Sequence, residues 1–159
     1  MVEEIKFAVV PMTPNFGAEI SGINLSDRLS KKTLKDLEDA LLKWKVLFFR
    51  KQEIDIEDQK RLGRSFGKLE VHPVSQRNPE VVRIEEDGER RANNNLWHSD
   101  MSFKLKPPLG SILRGLEIPA IGGDTLFADM EQAYEGLSDE IKERIDGAQA
   151  LHCWPSAWI

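Results

Sequence analysis

At 159 residues, with 40% hydrophobic and 31% charged side chains, the chain has the size and composition of one globular domain with an ordinary hydrophobic core. Twenty-seven acidic residues against 22 basic ones leave a net charge of -5. With no Lys/Arg stripe to track phosphates, nucleic acid is not an expected partner. No apolar run approaches the roughly 18 residues that span a bilayer, the start Met1-Val2-Glu3-Glu4 is acidic where a secretory signal is basic, and the single cysteine, Cys153, precludes an internal disulfide. These features point to a cytoplasmic protein without a membrane partner.

Ser30 is placed to cap a helix in which Leu34, Leu37, Leu41 and Trp44 recur at three- and four-residue intervals. The wholly apolar run Val46-Leu47-Phe48-Phe49 predicts a short strand buried on both faces. A second helix is expected from Asp55 through Ile56, Leu62 and Phe66, closed by Gly67 in the left-handed conformation. Helix, strand and helix would form a supporting layer. Val81-Val82-Arg83-Ile84 reads as a strand, and the charged, Asn-rich stretch that follows, up to Asn95, reads as a loop. Further strands are expected around Trp97-His98-Ser99-Asp100, over Ser111–Leu116, over Asp124–Ala128 and over Ala148–Trp154, with Pro107-Pro108 and Ile118–Gly123 as breaks. Between the last two, Asp129 and Ser138 are placed to cap two short helical stretches, one carrying Met130, Ala133, Tyr134 and Leu137, the other Ile141 and Ile145 and ending at Gly147. With no internal repeat and no break in composition, one α+β domain is expected, built on a β-sandwich or jelly roll with helices at its side.

The chemistry concentrates at His98 and Asp100. In a strand, side chains alternate faces, so these two project together while Ser99 points away. An imidazole and a carboxylate offered side by side are two of the three ligands of the 2-His-1-carboxylate triad, which leaves positions open on Fe(II) for O2. The third ligand must be another histidine, and only His72 and His152 remain. Leu96, Trp97 and Phe103 suit a half-buried strand, entered from the polar run Asn93-Asn94-Asn95. A His and an Asp that merely share a surface face of a strand remain the other reading of so short a pattern. The chain has no G-x-G-x-x-G, no P-loop, no C-x-x-C and no G-x-S-x-G.

Several segments, in consistent order across about residues 14 to 152, resemble the taurine dioxygenase / 2,4-dichlorophenoxyacetate dioxygenase (TauD/TfdA) family of Fe(II)- and 2-oxoglutarate-dependent oxygenases. They are Phe16-Gly17-Ala18-Glu19-Ile20-Ser21-Gly22, Phe66-Gly67-Lys68-Leu69-Glu70-Val71-His72-Pro73, Trp97-His98-Ser99-Asp100, and Gly122-Gly123-Asp124-Thr125 with Ala128-Asp129-Met130. The resemblance implies that His98 and Asp100 bind iron, that Thr125 hydrogen-bonds a carboxylate of the cosubstrate 2-oxoglutarate, and that His72 and Asn94 face the substrate. It implies an oxidoreductase that couples O2 and 2-oxoglutarate, releasing succinate and CO2, to hydroxylation of a small, anionic organic molecule. That molecule would be a sulfonate, a sulfate ester or an aryloxyalkanoate, whose hydroxylated product falls apart. Ser75 stands where the taurine branch has a tyrosine contacting sulfonate, so taurine itself is not assigned.

A jelly roll of eight strands with turns needs roughly 80 residues, more than run from His98 to Ile159, and two helical stretches use some of these. The expected fold class is therefore α+β with a partial, cupin-like double-stranded β-helix, flanking helices, and the C-terminal half of the fold absent. By the resemblance, the distal His ligand and the Arg that pairs with 2-oxoglutarate fall beyond Ile159, and residues 153–159 form a divergent tail of a single incomplete domain spanning 1–159. Two further readings stand beside the oxygenase. One is a non-catalytic remnant whose exposed apolar faces would drive association into a homo-oligomer. The other is a small metal-binding cupin using His98, Asp100 and His152.

Overall fold

Two parallel strands cannot be joined by a tight turn, so the chain between them must cross over, usually as a helix. The first part of this protein is built on that constraint. The computed structural model describes residues 6–71, 79–85 and 96–153, and the chain divides into two compact units, Met1–His98 and Ser99–Ile159.

In the first unit, β1 (Ala8–Pro11) pairs antiparallel with β2 (Ala18–Ser21), and β2 pairs parallel with β3 (Leu47–Phe49), giving a three-stranded sheet in the order β1-β2-β3. Helix α1 (Lys31–Trp44) is the crossover from β2 to β3, and α2 (Ile56–Phe66) follows β3. Neither β1 nor β2 is among the sequence expectations, although the alternation in Ala18-Glu19-Ile20-Ser21 between Gly17 and Gly22 carries the signal.

Alternation along β2 puts Ala18 and Ile20 on the inner face, where they are 0% and 2% exposed. Ile20 joins Ile23, Leu25, Leu37 and Leu62 in one cluster, while Ala18 joins Ala40 and Trp44. The helical stripe expected from the sequence is present but rotated slightly. Thr33, Leu37, Ala40 and Trp44 are the buried positions, and Leu34 packs at the margin. Ser30 caps α1 as expected, its side chain accepting from the Thr33 amide.

Helix α2 begins with a reciprocal capping box. The Asp55 carboxylate accepts from the Asp58 amide at 2.8 Å, and the Asp58 carboxylate accepts from the Asp55 amide at 3.1 Å. At its far end Gly67 is extended (φ 159°, ψ -172°) rather than left-handed, so the chain leaves α2 straight instead of folding back. Strand β3 also departs from expectation. Among the described residues it pairs with β2 alone, and its three residues are half-buried rather than buried on both faces.

Gln52 pins the β2–α1 connection to the segment after β3. Its side-chain oxygen accepts from the Leu25 amide at 2.8 Å, and its amide nitrogen donates to the Ile23 and Arg50 carbonyls at 3.1 Å each. Residues 79–85 are tied back to α2 through Glu80, which meets Arg64 at 2.7 Å and Lys60 at 3.7 Å.

The second unit contains α3 (Met130–Glu135) and α4 (Asp139–Ile145), capped by Asp129 and Ser138 as the sequence indicates. Neither helix buries a residue. The strands expected over 81–84, 97–100, 111–116, 124–128 and 148–153 are not formed among the described residues. An extended segment becomes a strand only by hydrogen-bonding a neighbour, and the described residues contain one sheet, made of β1, β2 and β3. The jelly roll is accordingly not displayed here. Leu105, Ile121 and Leu151 in this unit are almost wholly exposed. No helix among the described residues is long and apolar enough to cross a membrane.

Truncating Leu37 to alanine removes the helix side chain most deeply set against β2 and should cost about 2–5 kcal/mol in urea-induced unfolding. The pH dependence of α2 has a definite sign. The Asp55 amide, followed by Arg61, holds the Asp58 carboxyl below its ordinary value of 3.8, so its stabilising effect is present above that value and is lost as acid protonates it. Asp58→Asn should lower the urea midpoint at pH 7, and the gap to the parent protein should narrow as the pH falls below 3.8.

Candidate functional site

The segment entering the H-x-D motif is exposed. Leu96 and Trp97 are 76% and 70% exposed, where a half-buried strand was expected. What orients His98 is local: its Nδ1 lies 2.8 Å from the Leu96 carbonyl oxygen. A carbonyl can only accept, so Nδ1 carries the proton, and in the neutral ring the lone pair resides on Nε2. Metal-binding imidazoles are commonly prepared this way, with one nitrogen tied to a backbone carbonyl and the other aimed at the ion.

Asp100 belongs to the second unit and begins a turn rather than a strand. Met101 continues it with φ 54°, and the Lys104 amide donates to the Met101 carbonyl at 3.0 Å. The period-2 argument for a shared strand face therefore does not describe this backbone. Asp100 is oriented instead by a contact from eleven residues downstream: the Ser111 hydroxyl donates to its Oδ2 at 2.8 Å. Nothing in the local pattern of Ser111 signals this contact, which depends on how the chain returns after Pro107-Pro108.

Thr125 follows the turn made by Gly122 and Gly123, whose φ values of 81° and 73° lie in the left-handed region that glycine takes without strain. A Cβ on Gly123 would meet Pro119 Cγ at 3.4 Å, an ordinary contact, so it is the positive φ that favours glycine there. Thr125, just past this turn, is an exposed residue. His72 and Asn94, the expected substrate contacts, lie outside the described residues, as do Ser75 and the Asn93 and Asn95 neighbours. His152 is exposed.

A neutral imidazole nitrogen and an aspartate oxygen are a donor set that Fe(II) accepts, and the tautomer of His98 suits that role. His98 in the first unit and Asp100 in the second each have donor chemistry of that kind. Among the described residues, no three His, Cys, Asp or Glu side chains come together as a metal site, so His98, Asp100 and His152 do not form a complete triad there.

The chain matches, over residues 8–157, the family described as Taurine catabolism dioxygenase TauD, TfdA family. It belongs to that family. It is 41% identical over 143 residues to an alkylsulfatase of Acinetobacter baylyi, covering 89% of this chain and 45% of the relative. It is also 36% identical over 153 residues to an alpha-ketoglutarate-dependent sulfate ester dioxygenase of Pseudomonas putida, covering 93% and 50% respectively. Among solved structures, a taurine dioxygenase from Burkholderia xenovorans superposes with a TM-score of 0.77 at 35% identity, over 89% of this chain and 52% of that one. The chain spans about half the length of the TauD/TfdA relatives it matches.

The tautomer is open to direct test. Long-range proton–nitrogen NMR correlations at neutral pH should show His98 protonated at Nδ1, and an Nε2-protonated ring would remove the Leu96 carbonyl from its orienting role.

Proposed function

We propose that residues 1–159 form the first part of an Fe(II)- and 2-oxoglutarate-dependent dioxygenase domain acting on a small organic anion, with sulfate esters as the favoured class. The observation that carries this reading is the family match along nearly the whole chain. The names of the two relatives above favour sulfate esters among the sulfonate, sulfate ester and aryloxyalkanoate substrates considered. The distal His ligand, the Arg for 2-oxoglutarate and the rest of the jelly roll are assigned to residues beyond these 159. The relatives' greater length and the apolar exposure of Leu105, Ile121 and Leu151 support that assignment.

In this reading His98, through Nε2, and Asp100, through its carboxylate, hold the metal, and Thr125 donates its hydroxyl to a carboxylate oxygen of 2-oxoglutarate. His72 and Asn94 contact the substrate. Bound iron supplies the coupling of O2 reduction to decarboxylation of 2-oxoglutarate, which yields succinate and CO2 and places a hydroxyl on a substrate carbon. Where that carbon carries a sulfate oxygen, the hydroxylated product collapses to an aldehyde and inorganic sulfate. The protein's own work is to orient: the Leu96 carbonyl fixes the imidazole, and the Gly122-Gly123 turn presents Thr125.

In a full-length dioxygenase carrying residues 1–159, an alkyl sulfate should support O2-dependent formation of succinate and sulfate in equal amounts. Anaerobic addition of Fe(II) and 2-oxoglutarate should give the visible absorption of a chelated 2-oxoacid. A folded protein that binds neither would overturn the reading. Thr125→Val removes one hydrogen bond to a charged group, worth about 1.5 kcal/mol or more, and should raise the KM for 2-oxoglutarate roughly tenfold while leaving the KM for the sulfate ester unchanged.

A further inference from the structure

A concave patch of apolar side chains with a few charged groups at its edge is the usual form of a small-molecule site. The first unit has such a hollow, of about 270 Å³, between the β2–α1 connection and helix α2. Leu25, Leu29, Leu34 and Leu62 line it. Leu25 and Leu62 belong to the buried core, and Leu29 and Leu34 pack against it, so the apolar lining is anchored rather than loose. Both walls are tied. Gln52 accepts from the Leu25 amide at 2.8 Å. On the α2 side Arg61 donates to the Ser26 carbonyl at 2.6 Å and meets Asp58 at 2.7 Å. A hollow between fixed walls keeps its shape when empty, and a ligand entering it pays little for ordering the protein.

Asp27 and Arg28 also line the hollow, and both are exposed. Among the described residues neither side chain has a hydrogen bond or an ion pair, with each other or with anything else. Arg61, by contrast, is matched by Asp58. The charge left unmatched at the rim is therefore one carboxylate and one guanidinium. A simple anion would be drawn to Arg28 and repelled by Asp27, and a simple cation the reverse, whereas a ligand carrying both charges suits both groups. The leucines add a third requirement, an aliphatic body. We propose that this hollow binds an aliphatic α-amino acid, its carboxylate accepting from Arg28, its ammonium donating to Asp27 and its side chain lying on the leucines. None of the residues assigned to the dioxygenase reaction lines the hollow, so the proposal stands apart from that reading.

The probe is L-leucine, titrated into the 159-residue chain and followed by backbone amide NMR shifts, which report weak binding as well as tight. The amides of Arg28, Leu29, Arg61 and Leu62 should shift together and saturate. 4-Methylpentanoate, which lacks only the ammonium, and glycine, which lacks the aliphatic side chain, should each bind roughly tenfold more weakly. Arg28→Gln should weaken leucine binding roughly tenfold, and Asp27→Asn should do the same without weakening 4-methylpentanoate. Both substitutions change exposed side chains that have no partner, so both variants should keep the parent's thermal unfolding midpoint. No saturable shift at these amides overturns the site, and so do shifts that neither substitution alters. 4-Methylpentanoate binding as tightly as leucine overturns the amino-acid assignment, and that comparison needs no variant to fold. If both substitutions lower the unfolding midpoint while the three probes bind alike, the charges serve the fold and the proposal fails.

Discussion

The burial of Ala18 and Ile20 beneath α1 is the constraint from which the first unit follows. Side chains on a strand alternate, so a slip of one residue in the pairing of β2 would turn Glu19 into the core and Ile20 out to solvent. Glu19 in its native place meets Arg50 on the outer face at 3.3 Å, and Arg50 also lies over the Phe48 ring. The register is therefore enforced from both faces. It is also enforced from the end of the strand, since the Gly17 amide donates to the Trp44 carbonyl and the Ala18 amide to the Val46 carbonyl. These bonds bring the end of α1 back to the start of β2 and aim the chain into β3. Lys45 makes that reversal with φ 67°, its amide closing on the Leu41 carbonyl at 2.7 Å.

The two units are held by different physics. The first has a contiguous apolar core reaching from β2 through α1 to Leu62 of α2. In the second, the described helices bury nothing, and order comes from caps and short-range bonds. The Asp129 carboxylate accepts from the Glu131 and Gln132 amides, and Lys142 joins α4 to the Glu135 carbonyl while covering the Tyr134 ring. Bonds of this kind, made in water, contribute on the order of 1 kcal/mol each. A ligand that binds only the ordered form stabilises it by mass action.

Where a segment makes its own contacts, the sequence reading holds. The caps at Ser30, Asp55, Asp129 and Ser138 are short-range hydrogen bonds between a side chain and an amide two or three residues on, and both the residue type and the spacing are visible in the chain. The stripe of α1 is legible for the same reason, though Thr33 and Ala40, small residues at the tightest approach to the sheet, are invisible to a pattern built on leucines. Strands fail where their existence depends on a partner. Val81–Ile84 and Ser111–Leu116 have the composition of strands, but composition does not supply the neighbouring backbone that a ladder needs. The same limit applies at the site. His98 and Asp100 stand out by residue type, whereas the Ser111 contact with Asp100 depends on a chain reversal that no local pattern encodes.

His98 and Asp100 also share a feature that the strand picture does not contain. Each is a side chain with two polar atoms, and in each at least one of those atoms is engaged by its own unit: Nδ1 of His98 by the Leu96 carbonyl, Oδ2 of Asp100 by the Ser111 hydroxyl. A surface histidine and aspartate that merely happened to be neighbours would gain little from such restraints, because an exposed hydrogen bond replaces one to water at nearly equal free energy. A side chain that held a metal would gain more, since the entropy of fixing the donor is spent before an ion arrives. A shared strand face is thus not how this backbone presents either side chain. His98 lies in irregular backbone and Asp100 opens a turn, and each is oriented by at least one hydrogen bond within its own unit.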